Sequence, residues 1–334
     1  MTITADILHD PEYLPFRLDL ANGRVLFVRL DAQQRREAAF LDPRALPPQP
    51  QGAWVPLSML EAPAPGDMVA DGIFHIGHCG STLLSRLLDS WPEVEGLREP
   101  LPLRDLAAAW PAPSPPRDLL STLMAYWRKP LSPASRIVIK ATSSCNALIE
   151  PLLRDGGLRR AILLDMPLEP WLATLLKSED SVRDALAAFD ERAGVLHAHG
   201  IAIDGEHAPR DAIEACAMGW LAERQRFDAL ARGAFAPRVL RVDFEDLLSS
   251  PEATLSRIAA HLELAPDGVA RALASPAWGR YSKAQQHGYG REDREHDLAL
   301  AQQRFGEEIA RGVAWVDRAM ATHNAHAFAI DPAH

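Results

Sequence analysis

A chain of 334 residues, 47% hydrophobic and 24% charged, can bury a large core in one or two domains and is not a disordered sequence. Its formal net charge of −10 argues against general binding of nucleic acid or of an anionic membrane surface, both of which need basic surface. An anion would have to be held in a local basic pocket. Cys79, Cys145 and Cys216 are an odd, sparse set with no disulfide framework or zinc spacing, which suits a reducing compartment. The N-terminal MTITADILHD has neither a basic nor an apolar signal region, and no apolar run approaches a membrane span, so the expectation is a cytoplasmic protein without a membrane partner.

Residues 16–20 and 24–30 flank Ala21-Asn22-Gly23, and Asn-Gly is a strong tight-turn signal, so 16–30 reads as a β-hairpin. The stretch 42–70 carries Pro43, Pro47, Pro48 and Pro50 and reads as a connector. Residues 1–70 are therefore expected to be an accessory hairpin and connector, which packs on a main domain over 71–334 or walls a substrate site.

That main domain is organised around residues 72–99. Ile73, Phe74 and Ile76 form a short apolar run that ends in Gly77-His78-Cys79-Gly80-Ser81-Thr82, and an apolar stripe follows at Leu83, Leu84, Leu87 and Leu88. The pattern is a buried strand, a glycine turn and a helix with one apolar face. Such a turn points backbone N–H groups, the hydroxyls of Ser81 and Thr82 and the positive end of the helix dipole at one spot, which is how proteins hold phosphate or sulfate. Packing alone can also place glycines between strand and helix. The turn has no Walker lysine, since Gly77 is followed by His78, which disfavours an ATPase or kinase. A cysteine phosphatase loop is also disfavoured. Six residues separate Cys79 from Arg86, one too many for both to reach a single phosphate.

Further apolar runs at 136–140, 161–164 and 239–244 alternate with helical stretches from about Asn146, around Trp171, Leu172, Leu175 and Leu176, and across 178–235. In the last, Ile213, Cys216, Trp220 and Phe227 share a face and Gly233 is a C-terminal stop. Ser250-Pro251-Glu252 supplies a cap, a first-turn proline and an acidic first turn for a helix burying Leu255, Ile258 and Leu262. A final amphipathic helix spans about 292–322. Short apolar strands separated by helices imply a parallel sheet covered on both faces, with ligands at the carboxyl ends of its strands. The turn, Lys140 and Asp165 all fall at such ends.

The stretch from His78 to Leu84 resembles the 5′-phosphosulfate-binding loop of sulfotransferases, which reads [RK]-S-G-[ST]-[ST]-L-[LM]. His78 takes the basic position and Cys79 the serine, and the match runs without a gap into Leu88-Asp89-Ser90-Trp91-Pro92-Glu93-Val94 and Arg98-Glu99, as in tyrosylprotein sulfotransferases. The resemblance implies a P-loop NTPase-like three-layer α/β sandwich with a central parallel sheet, here with an N-terminal β-hairpin appendage. It implies a transferase that moves a sulfonate from 3′-phosphoadenosine 5′-phosphosulfate to a hydroxyl or amine of a small-molecule or peptide acceptor. No metal and no oligomeric state are implied.

By the same resemblance Glu99 is the catalytic base, His78 serves the departing group, Lys140 is a catalytic candidate matched to the family lysine of K-[TS]-P segments, and Gly77, His78, Cys79, Gly80, Ser81, Thr82 and Leu83 hold the 5′ end of the donor. Glu99 could instead simply pair with Arg98 on a surface loop. The family's 3′-phosphate motif, R-D-P and a serine, corresponds to Asp165-Met166-Pro167 and, with a slip of one residue, Thr174. Asp165 would repel a phosphate, with Arg159, Arg160 or Lys177 as compensating cations. Residues 278–283 resemble the late S-K loop of the family, which makes Arg280 and Lys283 cofactor-binding candidates. Residues 239–264 resemble a segment that marks the fold, so Glu245 and Asp246 read as structural. The alternative is a non-catalytic nucleotide- or anion-binding protein on the same fold.

Overall fold

The computed structural model describes residues 7–61, 69–110, 117–129, 131, 134–281 and 286–329. Asn22 and Gly23 (φ +60°) turn β1 (Tyr13–Asp19) back onto β2 (Arg24–Arg29), and the Asp19 carboxylate closes the turn by accepting from the Asn22 side chain and from Arg24. After the short helix α1 (Ala32–Glu37), opened by a capping box between Asp31 and Gln34, comes a strand that the connector reading did not anticipate. β3 (Gly52–Pro56) pairs antiparallel with β2 and completes a three-stranded sheet. Prolines crowd around this strand and it buries only Val55, so it lacks the alternating pattern that betrays a strand.

Eight elements then build the main sheet and its first crossovers: β4 (Val69–His75), α2 (Ser81–Leu88), β5 (Val94–Arg98), α3 (Leu101–Ala109), α4 (Arg117–Trp127), β6 (Arg136–Lys140), α5 (Ile149–Arg154) and β7 (Arg160–Asp165). Helices α6 (Leu168–Leu175), α7 (Glu179–Leu186), α8 (Phe189–Ala198) and α9 (Ala212–Arg232) precede the last strand, β8 (Val239–Asp243). Helices α10 (Phe244–Ser249), α11 (Pro251–Leu262), α12 (Gly268–Leu273) and α13 (Arg291–Ala329) follow it. The five strands are all parallel in the order β5-β6-β4-β7-β8, flanked by helices, so the expected α/β sandwich is present. β4 lies at the centre; the chain goes from it to the edge strand β5, returns to β6 beside β4, and then builds outwards on the other side through β7 and β8. The crevice at the carboxyl ends therefore opens around the turn that follows β4.

β5 went unread in the sequence because two of its five residues are charged. Both are buried and ion-paired from elsewhere: Glu95 with Arg35 of α1 at 3.1 Å, Arg98 with Asp89 at the end of α2. One contiguous apolar core runs from Leu14 and Phe27 of the small sheet to Leu84, Ile139 and Leu164 of the large one. Burying each such side chain stabilises the fold by about 1.5–3 kcal/mol. Ser250 makes no side-chain cap for α11, contrary to the expected cap; instead the Thr254 hydroxyl donates to the Asp246 carbonyl at 3.1 Å and ties α11 back to α10. The last helix carries a non-helical residue at Phe305 (φ −122°). Among the described residues no helix is long and apolar enough to cross a membrane.

Candidate functional site at the carboxyl ends of the strands

The turn after β4 has positive φ at Gly77 (+87°), His78 (+53°) and Gly80 (+76°), and α2 starts at Ser81. Gly80 has no room for a side chain, since a Cβ there would lie 2.0 Å from Cε2 of Phe244. At Gly77 a Cβ would meet the Ser143 hydroxyl oxygen at 3.3 Å, so Ser143 stands over the turn. The first turn of α2 has no side-chain cap, and its N–H groups face the same crevice as the turn.

A layer of buried polar groups holds this turn from beneath. The Gly77 N–H donates to Nδ1 of His75 at 3.0 Å, which requires the His75 proton on Nε2, 2.9 Å from the Ala141 carbonyl that accepts it. The Trp171 indole donates to the Gly77 carbonyl at 2.8 Å. Asn146 donates from Nδ2 to the His75 carbonyl at 3.0 Å and to Glu223 at 2.9 Å. His75 is thus a hydrogen-bonded strut. Neither it nor Asn146 carries any signal of this role in the sequence, because the strand end, the segment 141–146 and Glu223 that they join are far apart along the chain.

Cys79 sits in the turn, but its thiol points into the core towards the Leu164 carbonyl at 3.4 Å. Burial pushes this thiol up to about 12, against an opposing pull from Lys140. A thiolate nucleophile of the phosphatase kind is therefore absent here. Ser81, Thr82 and Leu83 are buried in the first turn of α2, and His78 is half-buried.

Lys140 ends β6, one strand from β4, and Glu99 follows β5, the next strand out. The Glu99 N–H donates to the Lys140 carbonyl at 2.6 Å, and the Lys140 ammonium is ion-paired with the Glu99 carboxylate. Lys140 is 1% exposed and Glu99 17%, so only the carboxylate reaches the crevice. Arg98 does not take part. It points the opposite way, is fully buried, and donates to the carbonyls of Arg36 and Ala38 at 3.1 and 3.2 Å. The alternative Arg98–Glu99 surface pair is thereby corrected. Because β6 lies between β5 and β4, Lys140 stands between Glu99 and the glycine turn.

The other candidates lie further apart. Asp165 ends β7 and is bound by Arg241 at 2.5 Å and Arg224 at 3.3 Å, and Arg241 is shared with Asp228, so the carboxylate is not a lone charge. Arg159 and Arg160 cannot be the compensating cations. They lie at the amino end of β7, paired with Asp71 and Glu263. Lys177 pairs with Asp297 at 2.9 Å, and the Thr174 hydroxyl donates to the Pro170 carbonyl at 2.8 Å. Arg280 is exposed and bridges to Gly288, while Lys283 lies outside the described residues. For a nucleotide 3′,5′-bisphosphate the turn and α2 fit the 5′ end. The end of β7 offers a carboxylate flanked by two partly exposed arginines in place of the family's arginine. Among the described residues no group of His, Cys, Asp and Glu could hold a metal ion.

No family model and no curated protein matches the chain. Among solved structures it is similar to the sulfotransferase domain from the curacin biosynthetic pathway (13% identity, 75% of this chain and 98% of that one, TM-score 0.40). It is similar also to the sulfotransferase domain of the Synechococcus PCC 7002 olefin synthase (16% identity, 73% and 90%, TM-score 0.38) and to a sulfotransferase from Alicyclobacillus acidocaldarius (14% identity, 77% and 98%, TM-score 0.38). Likeness this distant assigns neither donor nor acceptor, and the functional reading of the site rests on its own residues.

Proposed function

We propose that the chain is a sulfotransferase that moves a sulfonate group from 3′-phosphoadenosine 5′-phosphosulfate to a hydroxyl or amine of a small-molecule or peptide acceptor. The observation that carries the reading is the Glu99–Lys140 ion pair, whose lysine ends the strand beside the one that leads into a glycine turn at a helix start. A base beside an anion cradle is what group transfer to a hydroxyl needs. Two of the three non-glycine residues with positive φ among the described residues, His78 and Glu99, flank this crevice. Each left-handed residue costs about 1–2 kcal/mol, and such strain gathers at functional sites.

The nucleotide would supply the sulfonate and its leaving group. The N–H groups and hydroxyls of 80–82, with His78, would hold the 5′ end, and Arg224, Arg241 and Arg280 are the cations available to a 3′-phosphate. Lys140 orients the Glu99 carboxylate, and Glu99 takes the proton from the acceptor hydroxyl or amine. The test is calorimetric titration with 3′,5′-diphosphoadenosine beside adenosine 5′-phosphate and ATP, followed by transfer assays on a panel of acceptors. Selective binding of the diphosphate together with turnover is expected. Equal binding of all three would overturn the choice of donor. Selective binding without turnover, unchanged in Glu99→Gln, would leave a non-catalytic nucleotide-binding protein.

A further inference from the structure

We propose that Phe40, which belongs to the N-terminal part of the chain, is a positioning residue of the Glu99–Lys140 pair: its ring caps the lysine and holds the ammonium on the carboxylate. The inference rests on reading that pair as the reacting end of the site. Phe40 is 9% exposed, yet its side chain is not part of the contiguous apolar core. Two cations lie against the ring instead. Nζ of Lys140 is 5.6 Å from its centroid and Cζ of Arg44 is 4.2 Å away.

The position of the ring is set from β5. The Leu41 N–H donates to the Arg98 carbonyl at 2.7 Å, and the buried Arg98 guanidinium donates to the carbonyls of Arg36 and Ala38. Asp89 neutralises that guanidinium, and Leu41, 1% exposed, is anchored in the core. Residues 36–41 are thus fastened to the residue that immediately precedes Glu99. The ring between them has little freedom to move away from Lys140.

A lysine chain has four rotatable bonds and a strongly hydrated head, so an ion pair alone fixes it poorly. An aromatic face attracts the ammonium through its quadrupole, and the attraction grows when water is excluded. Phe40 does both, since it covers Lys140 and presents a ring to it. Arg44, which is itself paired with Asp42 and 67% exposed, also lies over the ring. The N-terminal part of the chain thereby forms a wall of the crevice on the Glu99 side, and does more than pack against the main sheet.

The experiment is pulse labelling of the native, ligand-free protein with an amine-reactive acylating reagent, read by peptide mass spectrometry. The chain has four lysines, and Lys177, 34% exposed, is the internal reference. Lys140 should label far more slowly than Lys177. Phe40→Ala should raise the Lys140 rate roughly thirtyfold, the factor that a desolvated cation–π contact is worth. Phe40→Tyr should restore protection, whereas Phe40→Leu, which keeps bulk without a ring, should not. A Lys140 rate unchanged in folded Phe40→Ala, or equal in the Leu and Tyr variants, would overturn the proposal. If Phe40→Ala does not fold, the Leu–Tyr comparison decides alone. The labelling needs neither donor nor acceptor, so failure of sulfonate transfer would strike the proposed activity and leave this result standing.

Discussion

Gly80→Ala tests the geometry on which the anion cradle depends. Residue 80 has φ +76°, and a Cβ there would lie 2.0–2.5 Å from three ring atoms of Phe244. An L-residue in the left-handed region costs about 1–2 kcal/mol, and forcing bulk into a packed site typically costs about 1–3 kcal/mol more. The variant should lose about 2–5 kcal/mol in all. With an unfolding entropy of about 2.1 cal/mol/K per residue, 334 residues give about 0.7 kcal/mol/K, so the melting temperature should fall by roughly 3–7 °C. Thermal unfolding of a double-mutant cycle with Phe244→Ala separates the two contributions. Removing the ring abolishes the overlap, so the double variant should be more stable than the sum of the single losses by about 1–3 kcal/mol, while the backbone cost stays. Inorganic sulfate should raise the melting temperature of the parent protein and not that of Gly80→Ala. A melting temperature within about 1 °C of the parent, or strict additivity in the cycle, would refute the tight turn described here.

Glu99→Gln keeps the shape of the side chain and leaves an amide oxygen for Lys140. Turnover should fall by about 10²–10⁴-fold in a transfer assay while diphosphoadenosine binding is retained, and full activity would remove Glu99 from the chemistry. All three cysteines are free and buried, with burial pushing Cys79 and Cys216 up to about 12 and Cys145 up to about 11. A chromogenic disulfide should therefore titrate none of them in the native protein at neutral pH and all three in denaturant; fast native reaction at Cys79 would revive a thiolate role. Burial also holds the His261 imidazole below its ordinary value of 6.5. The unfolded chain then binds this proton first, so stability is full above about pH 6.5 and is lost as pH falls through the folded value. Urea midpoints between pH 7 and 5 should drop less in His261→Gln than in the parent, and parallel curves would contradict the assignment.

The fold was legible wherever one stretch of chain carried the whole signal. The strand, turn and helix at 69–88 could be read because Ile73, Phe74 and Ile76 are buried on both faces of a parallel sheet, and because Gly77 and Gly80 take conformations that favour glycine. The hairpin could be read from Asn22-Gly23. β5 and β3 could not, for opposite reasons. β5 buries charges whose partners, Arg35 and Asp89, lie outside it, so its composition resembles a surface segment. β3 is an edge strand with little to bury, and it gains its place from backbone pairing to β2.

The same distinction governs the site. Lys140 was legible as a residue at a strand end, because alternation of strand and helix brings such ends together whatever the side chains are, whereas Glu99 was legible only through the resemblance, since its own strand went unread. Their pairing was not, since 41 positions separate them. The charge at Asp165 shows how misleading a local reading can be. Taken with its neighbours in sequence it is a lone carboxylate where an anion should bind, and the nearby Arg159 and Arg160 look like its remedy. In the folded chain those two arginines serve the opposite end of β7, and Asp165 is answered by Arg224 from α9 and Arg241 from β8. A sequence lists charges by position along the chain, whereas a 3′-phosphate at the end of β7 would meet their sum over three elements. Arg224→Ala and Arg241→Ala, each of which takes one of the two cations from the Asp165 carboxylate, are therefore the variants that would bring out the expected repulsion. Weaker binding of 3′,5′-diphosphoadenosine than of adenosine 5′-phosphate in those variants alone would place the 3′-phosphate beside Asp165. An equal loss for both nucleotides would place it elsewhere.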